Sequence, residues 1–154
     1  MTISTGSGAK LAIGTTAAAT TLAEFEADTY VEVGEIEDLG EFGDESEEVT
    51  FTSLGDGRVR KLKGPRNAGT MAVVAGQDSS DAGQAAMIAA EAEVLDFNFR
   101  VTLNDQLTIA GTPSIHYFRG KVMSKRIQVG QANNVVRRTF NVGLNTEITE
   151  DPAT

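Results

Sequence analysis

Between Leu95 and Leu103 the chain alternates without a break. Leu95, Phe97, Phe99, Val101 and Leu103 are apolar, and Asp96, Asn98, Arg100 and Thr102 between them are polar. Successive side chains of an extended chain point to opposite faces, so this segment predicts a strand with one buried face and one polar face. One-sided strands belong to antiparallel sheets. The same period recurs in Glu48–Ser53, where Val49 and Phe51 oppose Thr50 and Thr52. It recurs again towards the C-terminus, where Val136, Phe140, Val142 and Leu144 oppose Arg137, Thr139 and Asn141.

Further strands are expected at Tyr30–Ile36, at Gly69–Gly76 and over Ile115–Val129, the last with a bulge near Gly120 where alternation loses register. Gly55-Asp56-Gly57 is a turn signal, and Asn133-Asn134 is another. One helix is expected, Ala82–Glu93. Asp81, followed three residues later by Gln84, resembles a capping box, and Ala85, Ile88, Ala89 and Ala92 form a small-residue stripe. The reading is a mainly β fold of six or seven strands, mostly antiparallel, with one α-helix inserted midway. It divides into an N-terminal arm (1–28), a β-domain (29–146) and a C-terminal tail (147–154). The arm is rich in Thr, Ala, Ser and Gly and has no period, so it is expected to gain order only against a neighbouring copy.

With 154 residues the chain is long enough for a real core, which suits the complete absence of cysteine. Disulfides, thiolate metal sites and cysteine nucleophiles are excluded. Leu11–Ala23 is the longest uncharged run near the N-terminus, too short for a membrane span, and no basic region precedes it as in a signal peptide. No membrane association is expected.

Chemistry has no candidate. The lone histidine, His116, lies within a strand pattern and has no nucleophile motif beside it. Gly64-Pro-Arg-Asn-Ala-Gly69 has phosphate-loop glycine spacing, but Thr70 and Met71 follow where Lys and Ser/Thr are required, and Pro65 lacks an amide donor. The acidic segment lacks the spacing of a calcium loop. No cofactor and no metal are expected, and an enzymatic role is not.

Charge distribution says more. The formal net charge is −9, and twelve carboxylates between Glu24 and Glu48 are accompanied by no Lys or Arg. Arg58, Arg60, Lys61, Lys63 and Arg66 then fall within nine residues. This pattern predicts self-complementarity: the basic loop of one copy meets Glu32, Glu35, Glu37, Asp38 or Glu41 of another. Overall acidity argues against binding nucleic acid.

The order of these parts carries a resemblance. Val33-Gly-Glu-Ile-Glu-Asp-Leu-Gly40, Val49-Thr-Phe-Thr-Ser-Leu54, the Arg/Lys loop, Gly69-Thr-Met-Ala-Val-Val-Ala-Gly76 and Asp81-Ala-Gly-Gln-Ala-Ala-Met-Ile88 follow one another as in the major tail (tail tube) proteins of lambda-like long-tailed phages. The resemblance spans about residues 29–145. It implies a β-sandwich or barrel core with one flanking α-helix, in a structural virion protein whose hexameric rings stack into a hollow tube, assembled in the host cytoplasm and located in the virion tail. It also implies that DNA passes through without specific binding, and that tape measure, tail terminator and baseplate or distal tail proteins are partners. Contractile-tail tubes and the type VI secretion inner tube share that fold, so an inner tube subunit of a contractile injection system is an alternative. The density of acidic residues at 35–48 departs from the pattern. If polar strand faces line the channel, the lumen candidates are Glu48, Thr50, Thr52, Asp96, Asn98 and Thr102, with Arg100 paired to a carboxylate. The other reading is a ligand- or carbohydrate-binding β-domain using Tyr117 and Phe118, which the absence of Trp and the low aromatic content weaken.

Overall fold

A computed structural model describes residues 3–154. Its strands are β1 (Lys10–Ile13), β2 (Val31–Val33), β3 (Ile36–Asp38), β4 (Glu45–Thr52), β5 (Val59–Asn67), β6 (Thr70–Gly76), β7 (Phe97–Thr102), β8 (Ile115–Gln128), β9 (Arg137–Leu144) and β10 (Thr149–Asp151). Its helices are α1 (Leu22–Ala27) and α2 (Ala82–Glu91). The main sheet is antiparallel in the order β2-β1-β7-β8-β9-β6-β3, with β10 added beside β8. β4 and β5 form a separate two-stranded sheet.

Every strand along the path sends side chains into one cluster. Leu11 and Ile13 of β1, Val33, Phe99, Phe118, Phe140 and Val73 meet there, and Ile36 of the last strand packs against them. A flat sheet cannot bring its first and last strands onto one core. This sheet is rolled, and β2 and β3 flank the seam. The fold is mainly β and antiparallel, as the alternation predicted, and its roll is barrel-like, as the resemblance implied.

The seam is closed by polar groups. The Gln84 side chain, buried at the start of α2, donates to the carbonyls of Gly34 (3.1 Å) and Gly76 (2.8 Å), one on each side. Asp81 caps α2 by accepting from the Gln84 amide at 2.8 Å, and the same carboxylate takes the Gly34 amide at 3.0 Å. The expected cap is therefore also a bolt between helix and sheet.

Several expectations change in detail. The strand predicted at Tyr30–Ile36 breaks into β2 and β3 at Gly34-Glu35, where Glu35 adopts a left-handed φ of 56°. The bulge in β8 lies between Val122 and Ser124 rather than at Gly120. Gly120 instead allows close strand approach, since a Cβ there would lie 2.4 Å from the Gly143 carbonyl oxygen. The buried stripe of α2 is Gly83, Gln84, Met87 and Ala90, not the alanine stripe predicted. Alanines mark no side strongly, so the close approach at Gly83 and the seam bonds of Gln84 decide the rotation.

The segment read as an arm is also corrected: within a single chain, β1 lies between β2 and β7 with Leu11 and Ile13 buried. The strand is only four residues long, too short to show a period. Residues 14–30 cross the outer face of the sheet, where Phe25 of α1 stacks on Tyr117 at 5.5 Å between ring centroids. The tail read as loose forms β10, and the Thr154 amide donates to the Thr112 carbonyl at 2.9 Å.

Candidate assembly interface

The β4–β5 ribbon stands out from the body. Its turn follows from Gly55-Asp56-Gly57: Gly57 takes a left-handed φ of 62°, and the Asp56 carboxylate accepts from the Arg58 amide at 3.0 Å. Nine residues of β5 extend about 30 Å at roughly 3.3 Å per residue. Each strand packs on the other, and no other helix or strand supports them substantially.

Register sorts the ribbon's side chains. Val49 faces Leu62 and Phe51 faces Arg60, so these four share one face, and Arg58 joins them by alternation. The other face carries Glu48, Thr50 and Thr52 opposite Lys63, Lys61 and Val59. Phe51 is 56% exposed, Leu62 58% and Leu54, near the tip, fully exposed. Isolated two-stranded ribbons are marginal in water, and a row of half-exposed apolar residues with arginine is the composition of an interface core. The alternation at 48–53 was legible in the sequence. That its apolar side faces solvent was not, because a period of two does not say which sheet a strand joins.

The five basic residues all lie on this ribbon or its root, but several are already engaged. Arg60 pairs with Asp56 at 3.0 Å, Lys61 with Glu48 at 3.6 Å, and Arg66 with Asp44 at 3.3 Å. Arg58 and Lys63 enter no ion pair among the described residues. The predicted acidic partners are spread along the β2–β3 edge instead of being gathered. Glu32 is 3.9 Å from Lys10, Glu37 pairs with Arg137, and Asp38 accepts from the Gly40 amide at 2.7 Å. Glu35 occupies the seam turn, and Glu41 lines an open cavity with Asp44 and Glu45 at the ribbon's root. Within one chain no ribbon cation pairs with Glu32, Glu35, Glu37, Asp38 or Glu41.

The lumen candidates divide. Glu48, Thr50 and Thr52 are exposed on the ribbon. Asp96 is tied to Lys121 at 2.6 Å and to Asn145 at 2.9 Å, and its carboxyl is held below the ordinary value chiefly by the Lys121 hydrogen bond. Asn98 is wholly buried and cannot line any channel. Its amide donates to Asp28 (2.8 Å) and the Ala17 carbonyl (2.9 Å) and accepts from Arg119 (3.0 Å), because residues 14–30 cover that strand face. Thr102 is half-buried beside Lys10 and Ile115 in the sheet. Arg100 lies over the Tyr30 ring, 4.7 Å from its centroid, instead of against a carboxylate.

The buried Nδ1 of His116 has no hydrogen-bond partner among the described residues. Phe42 meets its ring edge-on at 5.8 Å, and Glu150 of β10 is 3.7 Å from Nδ1. No cluster of three metal-ligating side chains occurs among the described residues. Tyr117 and Phe118 point to opposite sides of β8, into the α1 cluster and the main core, so they do not build one pocket.

No family model matches the chain, and no curated protein matches its sequence. Solved structures do share its fold. A chain of the anti-feeding prophage baseplate aligns with a TM-score of 0.74 at 10% identity, covering 99% of this chain and 97% of that one. The SPP1 tail tube gives 0.63 at 15% identity over 96% and 78%. The tail of a GTA particle, computed with C6 symmetry, gives 0.64 at 16% over 96% and 98%. The chain has the fold of phage tail tube and contractile injection system tail proteins. At these identities the likeness concerns the fold.

Proposed function

We propose that this chain is a structural subunit that polymerises with itself into a tail tube of stacked hexameric rings. The observation that carries this reading is the β4–β5 ribbon, whose apolar face has no cover within its own molecule. The fold likeness supplies the context, since its neighbours are components of tails and injection machines, two of them described with sixfold symmetry. In a phage the tube would be a virion conduit for DNA. Tape measure, terminator and baseplate proteins would be its further partners. The inner tube of a contractile injection system is the second reading, favoured by the sheath/tube terminator of an extracellular contractile injection system, which aligns over nearly the whole of both chains.

The charge balance suits a conduit. Duplex DNA carries one negative charge per roughly 1.7 Å, so a cationic wall would hold it by counterion release. A chain of net charge −9 can offer a wall that does not. Among the candidates, Glu48, Thr50 and Thr52 are exposed, on a ribbon face that they share with Lys61 and Lys63, so the acidity of the wall must come from elsewhere in the chain.

Electron microscopy of the purified protein at high concentration tests the proposal. Rings or tubes of uniform diameter are expected. A protein that stays monomeric across the concentration range overturns it.

A further inference from the structure

The ribbon's apolar face needs a receiving surface on a second copy. We infer that it docks on the ledge that follows α2, formed by Glu93, Val94 and Leu95. The inference rests on the tube reading and deepens it by naming the partner surface.

Three exposed apolar patches outside the ribbon compete for the role. The first is the far end of the β8–β9 pair, with Ile127, Val129 and Val135 more than half exposed. It is flanked by Arg126, Arg137 and Arg138, and the ribbon's apolar face itself carries Arg58 and Arg60. Like charges would meet there, which selects against the pairing. The second is the loop around Leu107 and Ile109. Its nearest carboxylate, Asp105, already accepts from the amide and hydroxyl of Ser114 at 2.8 and 2.6 Å. That loop offers arginine no free anion.

The third patch is the ledge. Val94 is 80% exposed and Leu95 53%, although the alternation of this segment marks Leu95 as a core residue. Glu93 beside them is exposed and enters no ion pair among the described residues. The ledge also sits at the C-terminus of α2, where aligned peptide dipoles leave partial negative charge and cations are stabilising. This helix has no basic residue in its last turn, which ends on Glu91, and Glu93 follows just beyond the C-cap Ala92. Only Lys125, 3.6 Å from Glu91, offsets that charge from outside the helix. The ledge is thus an apolar step under a negative field, and the ribbon face is an apolar row carrying two arginines. Phe51 and Leu62 would cover Val94 and Leu95 while Arg58, which enters no ion pair among the described residues, reaches Glu93 and the helix end.

The partner must be another molecule. Leu62 lies five residues out along β5 from the ribbon's root at Asn67, and the body offers the ribbon no substantial contact.

The chain has no cysteine, so engineered pairs report without background. Ser53→Cys lies near the tip on the apolar face and leaves Phe51 in place. Combined with Val94→Cys, it should give a ladder of covalent multimers when assembled protein is oxidised. Ser53→Cys with Ile127→Cys should give none. Independently, Arg58→Glu should abolish polymer formation, and adding Glu93→Arg should restore it. Wild-type tubes with no 53–94 ladder, a 53–127 ladder in its place, or no rescue by the double reversal each overturn the docking site while leaving the tube reading intact. A wild-type chain that forms no polymer removes both.

Discussion

Gly83 occupies the second position of α2, where helix propensity alone favours alanine by about 1 kcal/mol. The structure reverses that sign. A Cβ at this position would lie 2.1 Å from the Glu32 carbonyl oxygen and 2.5 Å from the Val33 Cα, both backbone atoms of β2. Relief requires the helix to move off the strand it packs against, and overpacking of this kind costs about 1 to 3 kcal/mol. Gly83→Ala is therefore expected to lower stability, measured by denaturant unfolding; an unchanged or raised midpoint would show that α2 does not sit this close. Two carboxylates set an acid limit by similarly local means. Burial would raise the Asp28 carboxyl, but hydrogen bonds from Thr15, Asn98 and Thr29 outweigh it and hold the group below its ordinary value. Asp96 is held low first by Lys121. A group whose folded pKa is depressed stabilises the fold fully above its unfolded value, about 3.9 for Asp, and loses that contribution as pH falls through the lower folded value. Stability should thus be insensitive to these two groups from pH 7 to 5 and fall below about pH 4. Asp28→Asn should flatten that acid limb in a pH series of unfolding curves. An acid limb as steep as that of the parent would mean that Asp28 does not contribute to it. Apart from the Thr29 amide on Asp28, these contacts join residues well separated along the chain and were not legible in the sequence.

At the scale of elements, the sequence was most informative where a strand has one wet face. β7 and β9 fall within a residue or two of the expected spans because alternation is decisive for them, and β6, an apolar run between Gly69 and Gly76, falls as close. It was least informative for β1, a four-residue strand inside a Thr- and Ala-rich stretch. What fixes β1 is its two neighbours: Leu11 is paired with Val33 on one side and Val101 on the other. Deleting residues 1–25 consequently removes an interior strand rather than a tether. It also removes Phe25 from the Tyr117 stack and Ala17 and Thr15 from the bonds around Asn98 and Asp28. Full burial of a Leu, Ile or Phe side chain contributes roughly 1.5–3 kcal/mol each, so the loss of Leu11, Ile13 and Phe25 approaches the whole stability of an ordinary domain. The truncated chain is expected to be unfolded by circular dichroism. A cooperative, folded monomer would return the segment to the status of an arm. The ribbon shows the complementary limit of sequence reading. Its strands and turn were partly readable, but its separation from the barrel was not, since Val49 and Phe51 look like core residues until the pairing of β4 with β5 alone is known.

For the whole molecule the open question is which force assembles it, and the two ends of the ribbon argue differently. Clusters of carboxylates and arginines suggest long-range charge pairing between copies, yet three of the five ribbon cations already have partners in their own chain. Exposed pairs of this type are individually weak and are screened as the Debye length falls from about 8 Å at physiological ionic strength to about 3 Å at 1 M salt. Covering Phe51 and Leu62, each more than half exposed, contributes a larger and less salt-sensitive term of about 1 kcal/mol or more per side chain. Apolar cover is therefore expected to hold the assembly together, with charge choosing register and speeding association. Replacing Phe51 and Leu62 together by Asp should abolish polymers seen by sedimentation and electron microscopy. The melting temperature of the monomer should stay nearly unchanged, because the ribbon supports nothing in the body. Raising NaCl to 1 M should slow wild-type assembly and leave the tubes already formed intact. Dissolution of formed tubes by salt alone, or normal assembly of the double Asp variant, would mean that charge and not the apolar face carries the contact.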